Sequence, residues 1–411
     1  MSYLDHAASS PLRPIARDAW VRATAEAGNP SATHSAGRRT RRFLEEARES
    51  IAHSLGADPS EVIFTSGGTE GANLAVMGAA RAALAGMARS PRDPDGTPIV
   101  ESGRTGGGGP RRTHVVVSAI EHPAVLEAAR LLENDGHAVS YVPAAPTGRV
   151  DATALDAVVT DETALVSLMW VNNETGVVQP VAEAVASAHG AGALAHSDAV
   201  QAVGHMGVDF RASGLDLLSL SGHKLGAPVG TGVLLARRGV PIVPVSGGGG
   251  QERGIRSGTV DVAGAVALAA ALREAIQLRE AEATRLVALR DALAAALIAI
   301  DGARVTGSGL PAEQRAPGIV HAVLDGVRSE DLLFALDRAG FSVSAGSACR
   351  AGVHQPSHVI LAMGGSQAEA SGTLRCSLGW TTTAAEVSAL VKALPGAVER
   401  ARAAGAFRPR R

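Results

Sequence analysis

The sequence has little cysteine, no long apolar run and no excess of charge of either sign. Its two cysteines, Cys349 and Cys376, cannot form a disulfide framework, and they favour a reducing setting. No apolar run reaches the ~18 residues that a transmembrane helix needs. Residues 1–6 lack the basic and apolar regions of a signal peptide. We therefore expect a cytoplasmic protein without a membrane segment.

The balance of charge argues against a nucleic-acid partner. The chain has 38 Lys and Arg residues and 40 Asp and Glu residues, which gives a formal net charge of -2. Nucleic-acid-binding domains usually carry a marked basic excess, and none is present here. The length of 411 residues exceeds the needs of one small core and predicts a large and a small domain.

Apolar runs and helical patterns alternate along the chain. Strands are expected at residues 61–64, 114–118, 138–142, 164–171, 192–196, 216–220, 230–236, 304–306, 318–324 and 374–378. Helices are expected at residues 38–55, 74–84, 123–133, 151–159, 181–190, 262–300 with one break, 329–339 and 383–394. Such alternation predicts an α/β fold with a mainly parallel sheet covered by helices on both faces.

The segment 88–112 interrupts this alternation. It is rich in Pro, Gly, Arg and Asp, and it includes four consecutive glycines at 106–109. A segment of this composition cannot bury enough apolar surface to order itself. We expect a mobile surface insertion whose role the sequence does not indicate.

A lysine and a carboxylate each follow a predicted strand. The apolar run 216–220 ends in Ser-Gly-His-Lys, so Lys224 leaves a buried strand for a polar cleft. Such a setting lowers the pKa of an amine and makes it a Schiff-base nucleophile, although a lone lysine is more often a surface residue. Asp198 follows the run 192–196, where a carboxylate can hold a protonated pyridine nitrogen. Together with the strand they look like the core of an enzyme that uses pyridoxal 5'-phosphate (PLP).

A glycine-rich turn at residues 65–73 joins a predicted strand to a predicted helix. The free N–H groups and the dipole at the start of a helix attract anions. Gly68 and Thr69 are therefore candidate contacts for a phosphate group. A turn of this kind is weak support by itself, because many bind no phosphate.

Polar residues also follow two further predicted strands. His122 comes after the strand 114–118, and Asn173 comes after the strand 164–171. The carboxyl ends of parallel strands are where α/β sheets place their ligands. Taken alone, a histidine in this position is more often structural, and an Asn-Asn turn is usually only a turn.

The two cysteines lie in different sequence contexts. Cys349 lies in residues 342–357, which are small, polar and without periodicity, so we expect a loop and a reactive thiol. Cys376 lies within the apolar strand 374–378, where a thiol acts as a small buried hydrophobe.

These motifs, in this order, resemble the cysteine desulfurases of the NifS/IscS type, which are fold-type I PLP enzymes of the class-V aminotransferase family. The matching motifs are Tyr-Leu-Asp from Tyr3, Glu-His from Glu121, Asn-Asn-Glu from Asn172, Asp-x-x-Gln from Asp198, Ser-Gly-His-Lys from Ser221, Arg-Ser-Gly-Thr from Arg256 and Gly-Ser-Ala-Cys from Gly346. The resemblance covers nearly the whole chain except the insertion and the C-terminal tail.

The resemblance implies a particular domain organisation. A large PLP-binding domain at 16–260 would hold a mainly parallel seven-stranded sheet, and a smaller α+β domain at 261–400 would carry the Cys349 loop. An N-terminal segment at 1–15 would pack with the small domain, and a basic tail at 401–411 would be frayed.

The resemblance also implies conversion of L-cysteine and an acceptor thiol to L-alanine and a persulfide. The catalytic residues would be Lys224, which binds PLP, Cys349, which takes the sulfur, and His122, which stacks on the cofactor ring and relays protons. The cofactor would contact Gly68, Thr69, His122, Asn173, Asp198, Gln201, Ser221, His223, Lys224 and Thr259. The substrate would contact Asn173 and Arg375, the latter through its carboxylate. No metal site is expected.

The resemblance further implies a homodimer with shared active sites, because Thr259 would reach the phosphate bound by the other subunit. A sulfur-acceptor protein is implied, and an iron–sulfur scaffold, a tRNA-thiolating enzyme and a DNA-modifying system all remain open. Rival functions are a selenocysteine lyase or an aminotransferase of the same fold, or a non-catalytic scaffold. Trp380 stands where many relatives carry a basic residue, so the rim of the site differs here.

Overall fold

The computed structural model describes residues 1–87, 111–346, 349–350 and 353–406. The strands are β1 (Ser2–Tyr3), β2 (Val62–Thr65), β3 (His114–Ser118), β4 (Ala138–Val142), β5 (Thr163–Ser167), β6 (Leu194–Asp198), β7 (Leu217–Ser221), β8 (Gly232–Ala236), β9 (Ala303–Val305), β10 (Ile319–Leu324), β11 (Phe341–Ser342), β12 (Cys349–Arg350), β13 (Val353–His354) and β14 (Thr373–Ser377). The α-helices are α1 (Pro14–Thr24), α2 (Ser35–Ser54), α3 (Gly68–Leu84), α4 (Pro123–Asn134), α5 (Ala152–Asp156), α6 (Val181–Gly190), α7 (Phe210–Ser213), α8 (Gly222–Leu225), α9 (Val262–Ile298), α10 (Ser329–Arg338), α11 (His358–Ala362), α12 (Gln367–Ser371) and α13 (Ala384–Ala406).

A seven-stranded sheet in the order β2-β8-β7-β6-β5-β3-β4 forms the centre of the fold. Successive residues of its strands enter different hydrophobic clusters, as the pleat requires. Leu217 packs with α3 and α4 on one face, and Leu218 packs with α2, α6 and α9 on the other. Burial on both faces explains why these strands appear in the sequence as continuous apolar runs. The predicted α/β fold class is confirmed.

The strand directions bring the polar residues to one edge of the sheet. The strands β3 to β7 pair in parallel with one another. The strand β8 is antiparallel to both β7 and β2, so β2 again has the direction of β7. Consequently β2, β3, β5, β6 and β7 all end at the same edge, where α3, α4 and α8 begin.

A separate hydrophobic core is built around the three-stranded antiparallel sheet β9-β10-β14. Helices α10 and α13 cover this sheet, and Leu4 from the N-terminal segment packs into the same cluster. Strand β1 adds to this region by pairing in parallel with β11. The first residues of the chain are thus held by strands made from residues after 340.

Several predicted boundaries are wrong. Helix α9 runs for 37 residues without the expected break, because no glycine or proline interrupts it after its first turn. Helix α13 continues to Ala406 through Pro395, so the expected frayed tail does not begin at residue 401. Burial of Ala397 and Ala401 holds this part of the helix. Strand β5 ends at Ser167, four residues before the predicted end at 171, β6 lies two residues later than predicted, and α5 covers only Ala152–Asp156.

Residues 88–110 of the expected insertion 88–112 lie outside the described residues, and only residues 111 and 112 are described. Its last residue is well anchored, contrary to the expectation of mobility. The Arg112 guanidinium donates to the carbonyl oxygens of Thr163 and Ala191, each at 2.7 Å. Within the described part of the chain, no helix combines the length and hydropathy required to cross a membrane.

Candidate active site

A cavity of about 940 Å³ opens at the carboxyl edge of the sheet. Its lining includes ten residues that the sequence predicted for the site: Gly68, Thr69, His122, Asn173, Asp198, Gln201, Ser221, His223, Lys224 and Arg375. Thr259 is exposed and is not part of the lining. The side chain of Cys349 lies outside the described residues, but Gly346 and Gln355, on either side of it in sequence, line the cavity.

Lys224 lies in α8, the single helical turn that follows β7. Its Nζ donates to the carbonyl oxygens of Ala7 at 2.6 Å and Ala8 at 2.7 Å. Burial lowers the pKa of Lys224 to about 8, and the nearby Arg375 adds to this effect. An amine with this pKa is neutral often enough near neutral pH to act as a nucleophile.

Asp198 is the last residue of β6 and is nearly fully buried. Its Oδ1 accepts a hydrogen bond from the Val200 N–H at 2.9 Å. Burial raises the pKa of Asp198 to about 6, while the Val200 N–H and the charge of Lys224 oppose the shift. A bound cation such as a pyridinium would lower this pKa again and favour the carboxylate.

Glu121 is a neighbour of Asp198 that the sequence analysis did not assign to the site. It is completely buried, and its Oε1 accepts from the Met169 N–H at 2.6 Å. Burial raises the pKa of Glu121 well above its usual value, and the charge of Asp198 adds to this effect. A neutral Glu121 therefore leaves Asp198 as the charged member of the two. The sequence signal that could have indicated a buried Glu121 is its position directly after the apolar Ile120.

His122 caps the N-terminus of α4, where its Nδ1 accepts from the Ala124 N–H at 3.1 Å. Burial lowers the pKa of His122 to about 4, with smaller contributions from the charges of Lys224 and His358. The imidazole is therefore neutral at neutral pH. Because Nδ1 accepts, its proton is on Nε2, the only nitrogen left to donate.

Arg375 projects from β14 and is almost completely buried. Its Nη1 donates to the Asn173 carbonyl oxygen at 2.8 Å, and its Nη2 donates to Asp5 Oδ1 at 2.8 Å. Among the described residues, its Nε has no partner, and neither does the buried Oδ1 of Asn173. Both side chains thus have hydrogen-bonding capacity that nothing in this part of the protein uses.

Two further polar residues of the cavity, Gln201 and His223, contact the N-terminal segment. Gln201 Nε2 donates to the Ala7 carbonyl oxygen at 2.9 Å, so this amide is already engaged where a contact to the cofactor was predicted. His223 Nδ1 lies 3.3 Å from Ser9 Oγ. Burial lowers the pKa of His223 to about 4, with the charge of Lys224 adding to the effect.

The predicted phosphate site is the first turn of α3, a helix of 17 residues. Gly68 and Thr69 line the cavity there, where the helix leaves N–H groups without intrahelical acceptors. A Cβ on Gly68 would lie 2.8 Å from Val200 Cγ2, so alanine at this position would require Val200 to shift. Glu70, in the same turn, binds the Arg256 Nε through Oε1 at 3.0 Å.

The two cysteines lie in different elements of the fold. Cys349 opens the two-residue strand β12, which pairs with β13, so the predicted loop contains a short antiparallel hairpin. Cys376 is fully buried within β14, as predicted. Burial raises the pKa of Cys376 to about 12, which makes it a poor nucleophile.

The sequence analysis also did not single out the role of Glu174. Its buried carboxylate accepts from Ser357 Oγ at 2.5 Å and lies 3.9 Å from His358 Nδ1. Burial raises the pKa of Glu174. Ser357 caps the N-terminus of α11 and ends the segment that carries Cys349, so Glu174 anchors that segment to the large sheet. A glutamate within a turn flanked by apolar strands was the signal.

Comparison with known proteins gives a consistent result. The profile of the class-V aminotransferase family matches residues 2–88 and 106–390. The chain is 46% identical to an IscS-like cysteine desulfurase of Mycobacterium tuberculosis, over 99% of this chain and 100% of that protein. It is 38% identical to the cysteine desulfurase NifS of Azotobacter vinelandii, over 92% of this chain and 88% of that protein. A solved structure of a NifS-like protein matches with a TM-score of 0.83 at 31% identity, covering 97% of this chain and 100% of that chain.

The chain therefore belongs to the class-V aminotransferase family, whose fold-type I members use PLP. Within that family it is one of the cysteine desulfurases of the NifS/IscS type, which are PLP-dependent enzymes. The predicted family, fold class and cofactor are thereby confirmed. The family profile leaves residues 89–105 unmatched, and these lie inside the segment predicted as an insertion.

Proposed function

We propose that this enzyme takes the sulfur of L-cysteine onto Cys349 and releases L-alanine. The observation that carries the proposal is the meeting of three groups in one cavity: the Lys224 amine with its lowered pKa, the Asp198 carboxylate and the Arg375 guanidinium. An amine, an acid and a cation of this kind are what a PLP enzyme needs for its cofactor and for an amino-acid carboxylate.

The residues of the cavity fit PLP. Lys224 would bind its aldehyde carbon, Asp198 its pyridine nitrogen, and the N–H groups at Gly68 and Thr69 its phosphate. Asn173 lines the cavity, and its Nδ2 would donate to the O3' oxygen. When bound, PLP supplies a ring that accepts the electron pair released at the substrate Cα.

The chain's own residues then divide the remaining work. The Arg375 guanidinium binds and orients the substrate carboxylate. The Lys224 amine, once its nitrogen is free, takes the Cα proton and returns a proton to the product. The neutral His122 would face the bound cofactor from the cavity wall, and it holds a proton on Nε2 that it can donate. Ser221, the last residue of β7, and His223, in α8, complete the wall beside Lys224.

Cys349 acts as the sulfur acceptor. Its thiolate attacks the sulfur of L-cysteine, the new S–S bond forms as the substrate Cβ–S bond breaks, and the carbon is protonated to give L-alanine. The net change is thiol plus cysteine to persulfide plus alanine, so atoms and electrons balance without a further reactant. Gly346 and Gln355 in the cavity lining support this role, because they place both ends of the segment at the site.

We further propose a cytoplasmic homodimer in which Thr259 serves the phosphate of the partner subunit. Thr259 is exposed and does not line the cavity of its own chain. Arg256, three residues earlier, is held by Glu70 at 3.0 Å, which fixes the start of this turn. The persulfide would pass to an acceptor protein of iron–sulfur assembly or of a thio-modification pathway.

Turnover with sulfur-labelled L-cysteine tests the proposal. We expect one alanine per sulfur released and, in a single turnover without acceptor thiol, label on the peptide that contains Cys349. Release of elemental sulfur with alanine, or of sulfide with pyruvate, and no label on that peptide would instead identify a lyase. Label on the peptide containing Cys376 would contradict the assignment of the acceptor.

A further inference from the structure

Asp5 forms an ion pair with Arg375, the residue whose guanidinium is proposed to bind the substrate carboxylate. Its Oδ1 accepts from Arg375 Nη2 at 2.8 Å, across 370 residues of sequence. The Asp5 side chain is 19% exposed, whereas that of Arg375 is 5% exposed. The carboxylate is therefore the partner with access to solvent, and the guanidinium is the fixed one.

The contact between them leaves the guanidinium only partly used. Asp5 engages Nη2 through one oxygen, the Asn173 carbonyl oxygen engages Nη1, and Nε has no partner within the described residues. A carboxylate that bound two N–H groups at once would be held more strongly than Asp5 is. Two carboxylates on one guanidinium would also repel each other, so an arriving substrate would favour the departure of Asp5.

Asp5 belongs to a small turn that also holds the Lys224 amine. The Asp5 carbonyl oxygen accepts from the N–H groups of Ala8 and Ser9 at 3.0 and 3.3 Å, which closes the turn. Lys224 Nζ donates to the carbonyl oxygens of Ala7 and Ala8 within that turn. The hydrogen bonds of the amine and the ion pair of the guanidinium are thus built on the same few residues.

We propose that Asp5 is an internal stand-in for the substrate carboxylate, and that L-cysteine exchanges with it on Arg375. Before substrate arrives, Asp5 neutralises the buried guanidinium and keeps the turn in place. When the substrate carboxylate takes Arg375, Asp5 moves towards solvent and the turn that it belongs to loosens. Asp5 thereby sets the affinity for the substrate carboxylate. This inference rests on the proposed role of Arg375.

The test uses the holoenzyme and propionate, a carboxylate that has no amine to react with the cofactor. Phenylglyoxal modifies arginine, and peptide mass spectrometry reads the modification at Arg375. In Asp5→Asn, we expect propionate to halve the modification of Arg375 at a concentration about fivefold lower than in the wild type. This change is equivalent to about 1 kcal/mol of binding free energy. The KM for L-cysteine should fall by a similar factor, whereas Asp5→Glu should stay close to the wild type.

Ser377→Ala is the matched control. Ser377 Oγ accepts from the Ala7 N–H at 2.8 Å, so this change loosens the same segment without touching the ion pair. It should leave the protective concentration of propionate unchanged. An equal or higher protective concentration in Asp5→Asn, or the same fall in Ser377→Ala, overturns the inference.

A measurement on the unmodified protein gives an independent answer. Propionate should speed hydrogen exchange in the peptide that covers residues 3–12 if it displaces Asp5, and unchanged or slower exchange contradicts the displacement. If Arg375 does not bind the substrate carboxylate, the result is different, because propionate would fail to protect Arg375 even in the wild type. Both the proposed role of Arg375 and the proposed exchange with Asp5 would then be wrong.

Discussion

Replacing each cysteine by alanine should separate the two thiols by their surroundings. Burial raises the pKa of Cys376 to about 12. At pH 8 such a thiol is ionised to roughly one part in ten thousand, whereas an ordinary thiol with a pKa of ~8.5 is about a quarter ionised. Cys376 is therefore handicapped as a nucleophile by a factor on the order of a thousand, before its lack of access is considered.

We expect Cys349→Ala to bind PLP, to show a spectral change with L-cysteine and to lose alanine formation by at least about a thousandfold, as removal of a catalytic nucleophile does. Cys376→Ala should keep most turnover and lose about 1 kcal/mol of unfolding free energy, because a small buried side chain is shortened. The assay combines alanine release, detection of protein-bound persulfide and chemical unfolding of both variants. Normal turnover by Cys349→Ala, or persulfide on Cys376, would refute the reasoning.

Three further predictions concern the cofactor and the insertion. The purified protein should be yellow, and borohydride should fix the pyridoxyl group on Lys224; Lys392 is the only other lysine of the chain, so mass spectrometry distinguishes the two, and label on Lys392 would contradict the assignment. The rate of PLP capture by the cofactor-free protein should rise with pH around a midpoint near 8, because the neutral Lys224 amine is the reactive form and burial lowers its pKa to about 8; a midpoint near the ordinary lysine value of ~10.4 would show that the amine is not perturbed. Replacing residues 88–110 by a short Gly/Ser linker, with Arg112 retained, should preserve folding, PLP binding and alanine formation, since loop-closure entropy depends only weakly on length; loss of PLP binding in this variant would show that the segment has a structural role.

Much of the cavity could be predicted because it obeys a rule of sheet geometry. Asp198 and Lys224 follow apolar runs, and neighbouring parallel strands end at one edge, so their meeting follows from the pattern alone. His122 and Asn173 were ambiguous as single residues, and only their place in an ordered set of motifs gave them roles. Their surroundings then set properties that no pattern displays, such as the tautomer of His122.

The features that were missed depend on contacts between distant parts of the chain. The ion pair of Asp5 with Arg375 joins residues that no local pattern relates. Glu174 and Ser357 meet only because the segment after Cys349 returns to the large sheet. Arg112 was assigned to a mobile segment by composition, yet two carbonyl acceptors hold it. Local propensity carries no information on such partners.

The attachment of the N-terminal segment has a consequence for the order in which the protein assembles. During synthesis, residues 2–8 leave the ribosome far ahead of β11 and β14, the strands that they contact. Until those strands exist, the carbonyl oxygens that hold Lys224 and the carboxylate that covers Arg375 have nothing to fix them. Contacts of such long range form late in folding. The large sheet can therefore form while the chain is still growing, but the catalytic pocket reaches its final shape only after nearly all of the protein has been made.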